Sequence, residues 1–290
     1  MRKKKLAALL LALALLTLSG CGVEQTASPS PDASGKLIVS TTFDAPAEFA
    51  RAVGGDKAVV STIIPDGTEP HDFEPKAQDI RVLSTADVFV YNGLGLESWA
   101  QEAVSAADNS ALVAVDEKED GRPDPHAWLS LKCAEQQVAN IAAGFARADP
   151  ENAAYYQQNS ETYIAQLEAL YEKYAARFTS AQKKSFVTGH AAFAYLCRDF
   201  SLKQESVEDV FANGEPSARR LVSLIDYCKA NNVRIVFAES AASKEVSETL
   251  ASEVGARIET IYTIESAEDG KSYLQRMDEN LARIAESLGT

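Results

Sequence analysis

Val59-Val60-Ser61-Thr62-Ile63-Ile64-Pro65-Asp66-Gly67-Thr68-Glu69-Pro70-His71 passes from a β-branched run into a stretch of turn formers that closes on a histidine. The first half reads as a buried strand of a parallel sheet, whose two covered faces favour a near-continuous apolar run. The second half reads as the loop leaving that strand's carboxyl end. Working outward, similar runs stand at Leu37-Ile38-Val39-Ser40, Val88-Phe89-Val90-Tyr91 and Leu112-Val113-Ala114-Val115. Helix-like stretches such as Pro46 to Val53 and Glu97 to Ala106 separate them. The pattern restarts at Phe186-Val187-Thr188 and continues through Val233–Phe237 and Ile258–Tyr262. Helical patterns lie around residues 191–200, 217–230, 244–254 and 272–287. Two successive βα series predict an α/β fold of two lobes, each with a mostly parallel sheet flanked by helices.

One long helix is expected to join the lobes. Asp149 suits its N-cap and Pro150 its first turn. Tyr156, Tyr163, Leu167, Leu170, Tyr174 and Phe178 recur at spacings of three, four or seven and mark one apolar face. From residue 150 to 178 such a helix would be about 43 Å long. The expected organisation is an N-terminal lobe over 37–148, a connecting helix over 149–180 and a C-terminal lobe over 181–290.

The N-terminus reads differently. Arg2, Lys3, Lys4 and Lys5 precede a Leu/Ala run from Leu6 to Leu18, which ends in Leu18-Ser19-Gly20-Cys21. The run is short for a membrane span and suits a signal peptide over residues 1–20. Small residues before a cysteine resemble a lipobox, with Cys21 as the acylated N-terminus of the mature chain. Residues 21–36 then form a flexible tether of Ser, Pro, Thr, Ala and Asp. The expected location is the extracytoplasmic face of a bacterial membrane, held by lipid. The whole chain carries 28 basic and 42 acidic residues, a net charge of −14. Loss of residues 1–20 leaves 24 basic side chains against 42 acidic, net −18, which disfavours nucleic-acid binding. Cys133, Cys197 and Cys228 form no CxxC pair, so no zinc ribbon or thioredoxin motif is present.

His71, His126 and His190 are the three histidines of the chain. His71 closes the loop after the 59–64 strand. His126 sits in Asp124-Pro125-His126-Ala127-Trp128, beyond another strand and a polar loop. His190 follows Phe186-Val187-Thr188-Gly189. Ligands of parallel α/β sheets bind outside the carboxyl ends of strands. Three imidazoles that can meet there make a borderline-soft metal site.

Three segments carry a family resemblance: Pro65 to Pro75, continuing through Ala86-Asp87 and Asn92 to Glu97; Asp124 to Leu129; and His190-Ala191-Ala192-Phe193-Ala194-Tyr195. With them, from about residue 37 onward, the chain resembles the zinc/manganese-type (cluster A-I, or cluster 9) solute-binding lipoproteins of ABC importers. The resemblance implies that His71, His126 and His190 are metal ligands and that metal lies between the lobes. It implies an ABC transporter permease as partner, a monomeric binding protein, and Zn2+ as the transported ion, with Mn2+ as the alternative cargo. Imidazoles favour zinc, because manganese prefers oxygen donors. Leu131 and Ser201 depart from the pattern, standing where the family has Pro and Gly. The histidine-rich loop of some members is absent, and a short acidic loop, Asp116 to Gly121, occupies its place.

For the fourth ligand, family members commonly supply an aspartate near the end of the last C-lobe strand. This chain has Ile261-Tyr262-Thr263-Ile264-Glu265-Ser266 there. Glu265 is the candidate, Glu69 the reserve, and water the third option. Glu239 is expected to brace the site from outside. A zinc hydrolase would also use three histidines, but HExxH, a nucleophile elbow and a phosphate loop are all missing, so no enzyme is expected. Surface adhesion is a third class, resting on surface display alone. With the ordinary histidine pKa, zinc affinity is expected to fall steeply below about pH 6.5.

The lipobox yields a direct prediction. The intact mass of the mature protein from its native host should correspond to a chain beginning at acylated Cys21. A mass that retains residues 1–20, or lacks lipid, contradicts it.

Overall fold

Val88 to Asn92 are buried without interruption, and so is every residue from Ile235 to Glu239, whereas Ala58 to Thr62 are half-buried or exposed. That contrast separates interior from edge strands of parallel sheets. The computed structural model describes residues 35–289 apart from 110–112, 118–123, 211–217, 240–243 and 268. The leader, Cys21, the tether through residue 34 and most of the acidic loop lie outside the described residues. No described helix is long and apolar enough to cross a membrane.

The first half runs β1 (Leu37–Thr41), α1 (Asp44–Gly54), β2 (Ala58–Thr62), α2 (Ala77–Arg81), β3 (Val88–Gly93), α3 (Ala100–Ala106) and β4 (Val113–Glu117). Its strands pair in parallel in the order β2-β1-β3-β4. Two helices follow, α4 (Leu131–Ala148) and α5 (Ala153–Ser180). The second half runs β5 (Ser185–Thr188), α6 (Ala194–Phe200), β6 (Lys203–Ser206), α7 (Ala218–Ala230), β7 (Ile235–Glu239), α8 (Lys244–Val254), β8 (Arg257–Ile261) and α9 (Tyr273–Ser287). Its sheet, β6-β5-β7-β8, is also all parallel and repeats the first topology.

The expected two lobes and long helix are therefore present. Two elements were not foreseen. Lys203-Gln204-Glu205-Ser206 has no apolar residue, yet it forms edge strand β6 because β5 offers it a free ladder. Helix α4 buries Leu131, Ala134, Val138, Ile141 and Phe145 on one face, a helical period that is readable in the sequence. Its start is chemical: the Ser130 hydroxyl accepts the Cys133 amide at 3.1 Å.

Helix α5 has 28 residues, about 42 Å. Pro150–Asn152 form a separate 3-10 turn before it, with Asp149 at the N-cap position of that turn. The Asp149 carboxylate accepts the Tyr156 hydroxyl at 2.7 Å and the Asn152 side-chain amide at 2.8 Å. Tyr156, Leu167, Tyr174 and Phe178 of α5 join one apolar core that contains Val39, Phe49 and Val90 of the first half and Phe186, Phe237 and Ile261 of the second. The helix is embedded in a continuous core rather than strung between two separate ones. Separating the halves would expose apolar surface at about 25 cal/mol per Å². None of the three core cysteines is disulfide-bonded, and all are buried.

Ser201 caps α6 at φ 53° and ψ 42°, the left-handed region where a Cβ is strained and glycine is not. Its exposed position explains why serine is tolerated. Ser201→Gly should raise stability by up to about 1 kcal/mol, read as a higher urea midpoint at unchanged m-value.

Candidate metal centre

Each expected site histidine leaves the carboxyl end of a strand by a different local device. His71 lies in a 3-10 turn, Pro70–Asp72, beyond β2; the Glu69 carboxylate caps it by accepting the His71 amide at 3.3 Å. His126 is seated by Asp124, whose Oδ1 accepts both the His126 amide at 3.0 Å and its Nδ1–H at 2.8 Å. The Pro125 carbonyl accepts from the Asn92 side chain at 2.8 Å, and the Asp124 carbonyl from the Tyr195 hydroxyl at 2.9 Å. His190 follows β5, where strand order reverses between β5 and β7. Glu239 ends β7 and accepts the His190 amide at 3.1 Å and its Nδ1–H at 2.9 Å. Gly189 permits this approach, since a Cβ there would lie 3.2 Å from a Glu239 oxygen.

With both Nδ1–H groups bonded outward, the Nε2 atoms of His126 and His190 face inward. His126 Nε2 lies 3.1 Å from that of His71 and 3.2 Å from that of His190. Bonds of about 2.05 Å in a zinc tetrahedron give a nitrogen–nitrogen edge of about 3.3 Å. The His126–His71 and His126–His190 pairs are therefore already spaced as neighbouring corners of that figure. Glu265 completes the group: one ligand atom from each of His71, His126, His190 and Glu265 lies within 4.8 Å of the others. Three of the four are buried: His126 is 0% exposed, His190 3% and Glu265 8%. Glu265 Oε2 accepts the Thr263 hydroxyl at 2.8 Å, while Oε1 is buried with no hydrogen-bond partner. A buried carboxylate oxygen without a donor is costly, and a divalent cation satisfies it. Glu69, the reserve candidate, stands outside the converging four.

The electrostatics are opposed in the metal-free centre. Burial lowers His71 to about 3, helped by the charges of His126 and His190. Burial also lowers His126, against the hydrogen bond to Asp124. At His190 burial again pulls down, but the hydrogen bond and charge of Glu239 outweigh it and lift the ring to about 9. Burial, then the charge of Glu69, raises Glu265 to about 8. The groups that hold a proton above their ordinary range are thus His190 and Glu265.

The bracing role expected of Glu239 has its geometry here. Asp124 was missed, although a carboxylate two residues before a candidate ligand histidine is a readable signal. Also missed was the support under Pro125. Glu97 accepts the Thr42 hydroxyl at 2.6 Å, the Asn92 amide at 3.0 Å and the Gly93 amide at 2.9 Å, fixing the turn from which Asn92 reaches across.

The family model "zinc-uptake complex component A periplasmic" matches residues 39–287. A putative metal-binding protein of Treponema pallidum (strain Nichols) is 41% identical over 272 residues, 86% of each chain. The high-affinity zinc uptake system protein ZnuA of Bacillus subtilis (strain 168) is 35% identical over 315 residues, 99% of each. Among solved structures, the laminin-binding protein Lmb of Streptococcus agalactiae, described as bifunctional with adhesin and metal-transporting activity, superimposes with a TM-score of 0.81. Its sequence identity is 30%, and the match covers 87% of this chain and 99% of that one.

Proton release follows from the site. Groups protonated in the free protein and deprotonated in the complex make affinity rise with pH up to their free-state pKa. Zinc binding near pH 7 should release about two protons, from His190 and Glu265, so affinity should keep climbing between pH 7 and 8 instead of levelling above pH 6.5. Calorimetry in buffers of different ionisation enthalpy measures the release; a value near zero contradicts it.

Proposed function

We propose that this chain, which belongs to the zinc-uptake complex component A family, captures zinc outside the cytoplasm as the solute-binding component of an ABC importer. The observation that carries this reading is the convergence of three imidazole nitrogens and one buried, partly unsatisfied carboxylate within 4.8 Å. In this proposal His71, His126, His190 and Glu265 are the ligands, and zinc is cargo rather than a resident cofactor. Asp124 and Glu239 hold two of the rings with their Nε2 atoms inward. The membrane permease is the partner that receives the ion, and acylated Cys21 is the anchor that keeps the chain beside it.

Donor chemistry supports zinc over manganese. Three neutral nitrogens and one carboxylate are a borderline-soft set, and manganese favours sites richer in oxygen. The carboxylate at the fourth corner also supports capture over hydrolysis, because a catalytic zinc site keeps that corner for water. Adhesion forms no part of the proposal.

Direct competition should show zinc displacing manganese from the purified protein. Glu265→Ala should weaken zinc binding at least about tenfold, the loss typical of disturbing even a supporting partner, and more than Glu69→Ala does. Tighter manganese than zinc in the same titration removes the cargo assignment. Equal effects of the two substitutions remove Glu265 as the fourth ligand.

A further inference from the structure

The segment carrying Glu265 leaves β8 in the second half of the chain, yet four of its hydrogen bonds run to the first half. The Thr263 carbonyl accepts from Trp128 Nε1 at 2.6 Å. The Glu265 carbonyl accepts the Asp44 amide at 3.4 Å. Ser266 Oγ accepts the Gly67 amide at 2.9 Å, and the Ala267 amide donates to Asp66 Oδ1 at 3.3 Å. Such anchoring answers a need of the backbone. Ile264, fully buried and directly before Glu265, has φ of 59°. A β-branched residue in the left-handed region persists only where its surroundings over-determine it.

Arg276 on α9 joins these contacts into one unit. It is 0% exposed. Its Nη1 donates to the Ser266 carbonyl at 2.6 Å, one residue beyond Glu265. Its Nη2 donates to Asp44 Oδ2 at 2.5 Å and to Glu48 Oε1, both on α1. The other Glu48 oxygen accepts the Tyr273 amide at 2.6 Å, at the start of the same helix α9. One guanidinium therefore grips α1, α9 and the turn that presents Glu265, and Asp44 grips that turn a second time through its own amide. Arginine suits this position because its planar fork has several donors in fixed directions, which a lysine lacks. Buried charge clusters of this kind contribute geometry more dependably than net stability.

We propose that Arg276 is a positioning residue for metal binding: with Asp44 and Glu48 it holds the strained turn at Ile264, and so aims the Glu265 carboxylate at the three histidines. The proposal rests on the reading of Glu265 as a ligand. Without the guanidinium the turn is free to relax toward extended backbone at Ile264, and zinc is left on three imidazoles.

A double-mutant cycle tests this, with zinc affinity read by competition against a chromophoric chelator. The proteins are wild type, Arg276→Met, Glu265→Ala and the double variant, each checked for folding by circular dichroism. Arg276→Met should weaken zinc about tenfold when Glu265 is present. In the Glu265→Ala background the same change should alter affinity by less than about twofold, because the ligand it positions is gone. An equal loss in both backgrounds makes Arg276 a general structural residue and overturns the proposal, as does a folded Arg276→Met that binds zinc like wild type. Should Arg276→Met fail to fold, Asp44→Asn replaces it in the cycle, keeping the volume and the backbone amide while removing one charged partner. A Glu265→Ala protein with wild-type zinc affinity overturns the ligand reading itself and this inference with it.

Discussion

Asp124 and Glu239 each accept a hydrogen bond from the Nδ1–H of a histidine, and the rest of the centre depends on where those two N–H groups point. A neutral imidazole has one donor nitrogen and one acceptor. Committing the donor to a buried carboxylate leaves the acceptor of His126 and of His190 facing one point, with ring rotation blocked. Both carboxylates also bond the backbone amide of the histidine they serve, so ring and main chain are fixed together. The result is a pocket crowded with lone pairs and carboxylates, in which one ring keeps a proton that burial alone would remove.

Parallel-sheet topology supplies the meeting place. The two sheets have the same strand order, and each carries its site residues just past the carboxyl ends of strands, Glu239 itself being the last residue of β7. His190 follows β5 and Glu239 ends β7, the two strands between which the strand order of the second sheet reverses, where a crevice forms because the crossovers go opposite ways. In the first sheet, the equivalent crevice holds Thr42, Asn92 and Glu97, which carry no metal-binding atom toward the centre but pin the Pro125 carbonyl. The long helix α5 and the continuous core then hold the crevices in register. A centre assembled from such distant segments tolerates little relative movement, and the core makes such movement costly.

Part of the fold and site was legible because its physics is local. Strand runs, the helical face of α5 and the histidine-bearing loops each announce themselves within a dozen residues. Glu265 was legible only as a position at the end of the last strand. Its left-handed neighbour Ile264 gave no warning, since an isoleucine there contradicts its own backbone preference. Strand β6 escaped because it carries no apolar residue and exists through what it pairs with, whereas helix α4 has a readable period of Leu131, Val138, Ile141 and Phe145.

The sequence by itself determined two βα series, three imidazoles on loops after strands, and a donor set that prefers zinc. Those follow from residue types and short-range spacing. Only the tertiary structure decided that residues 71, 126, 190 and 265 share one point, that the last arrives on a strained turn held from the other half of the chain, and that burial and neighbouring charges raise the pKa of Glu265 and His190. The reason is that convergence and burial belong to no segment. They arise when chain pieces 55, 119 and 194 residues beyond His71 are packed together, and pKa values and ligand geometry are set by that packing alone. His190 shows it best: its charge state is written by Glu239, 49 residues away along the chain and 2.9 Å away in space.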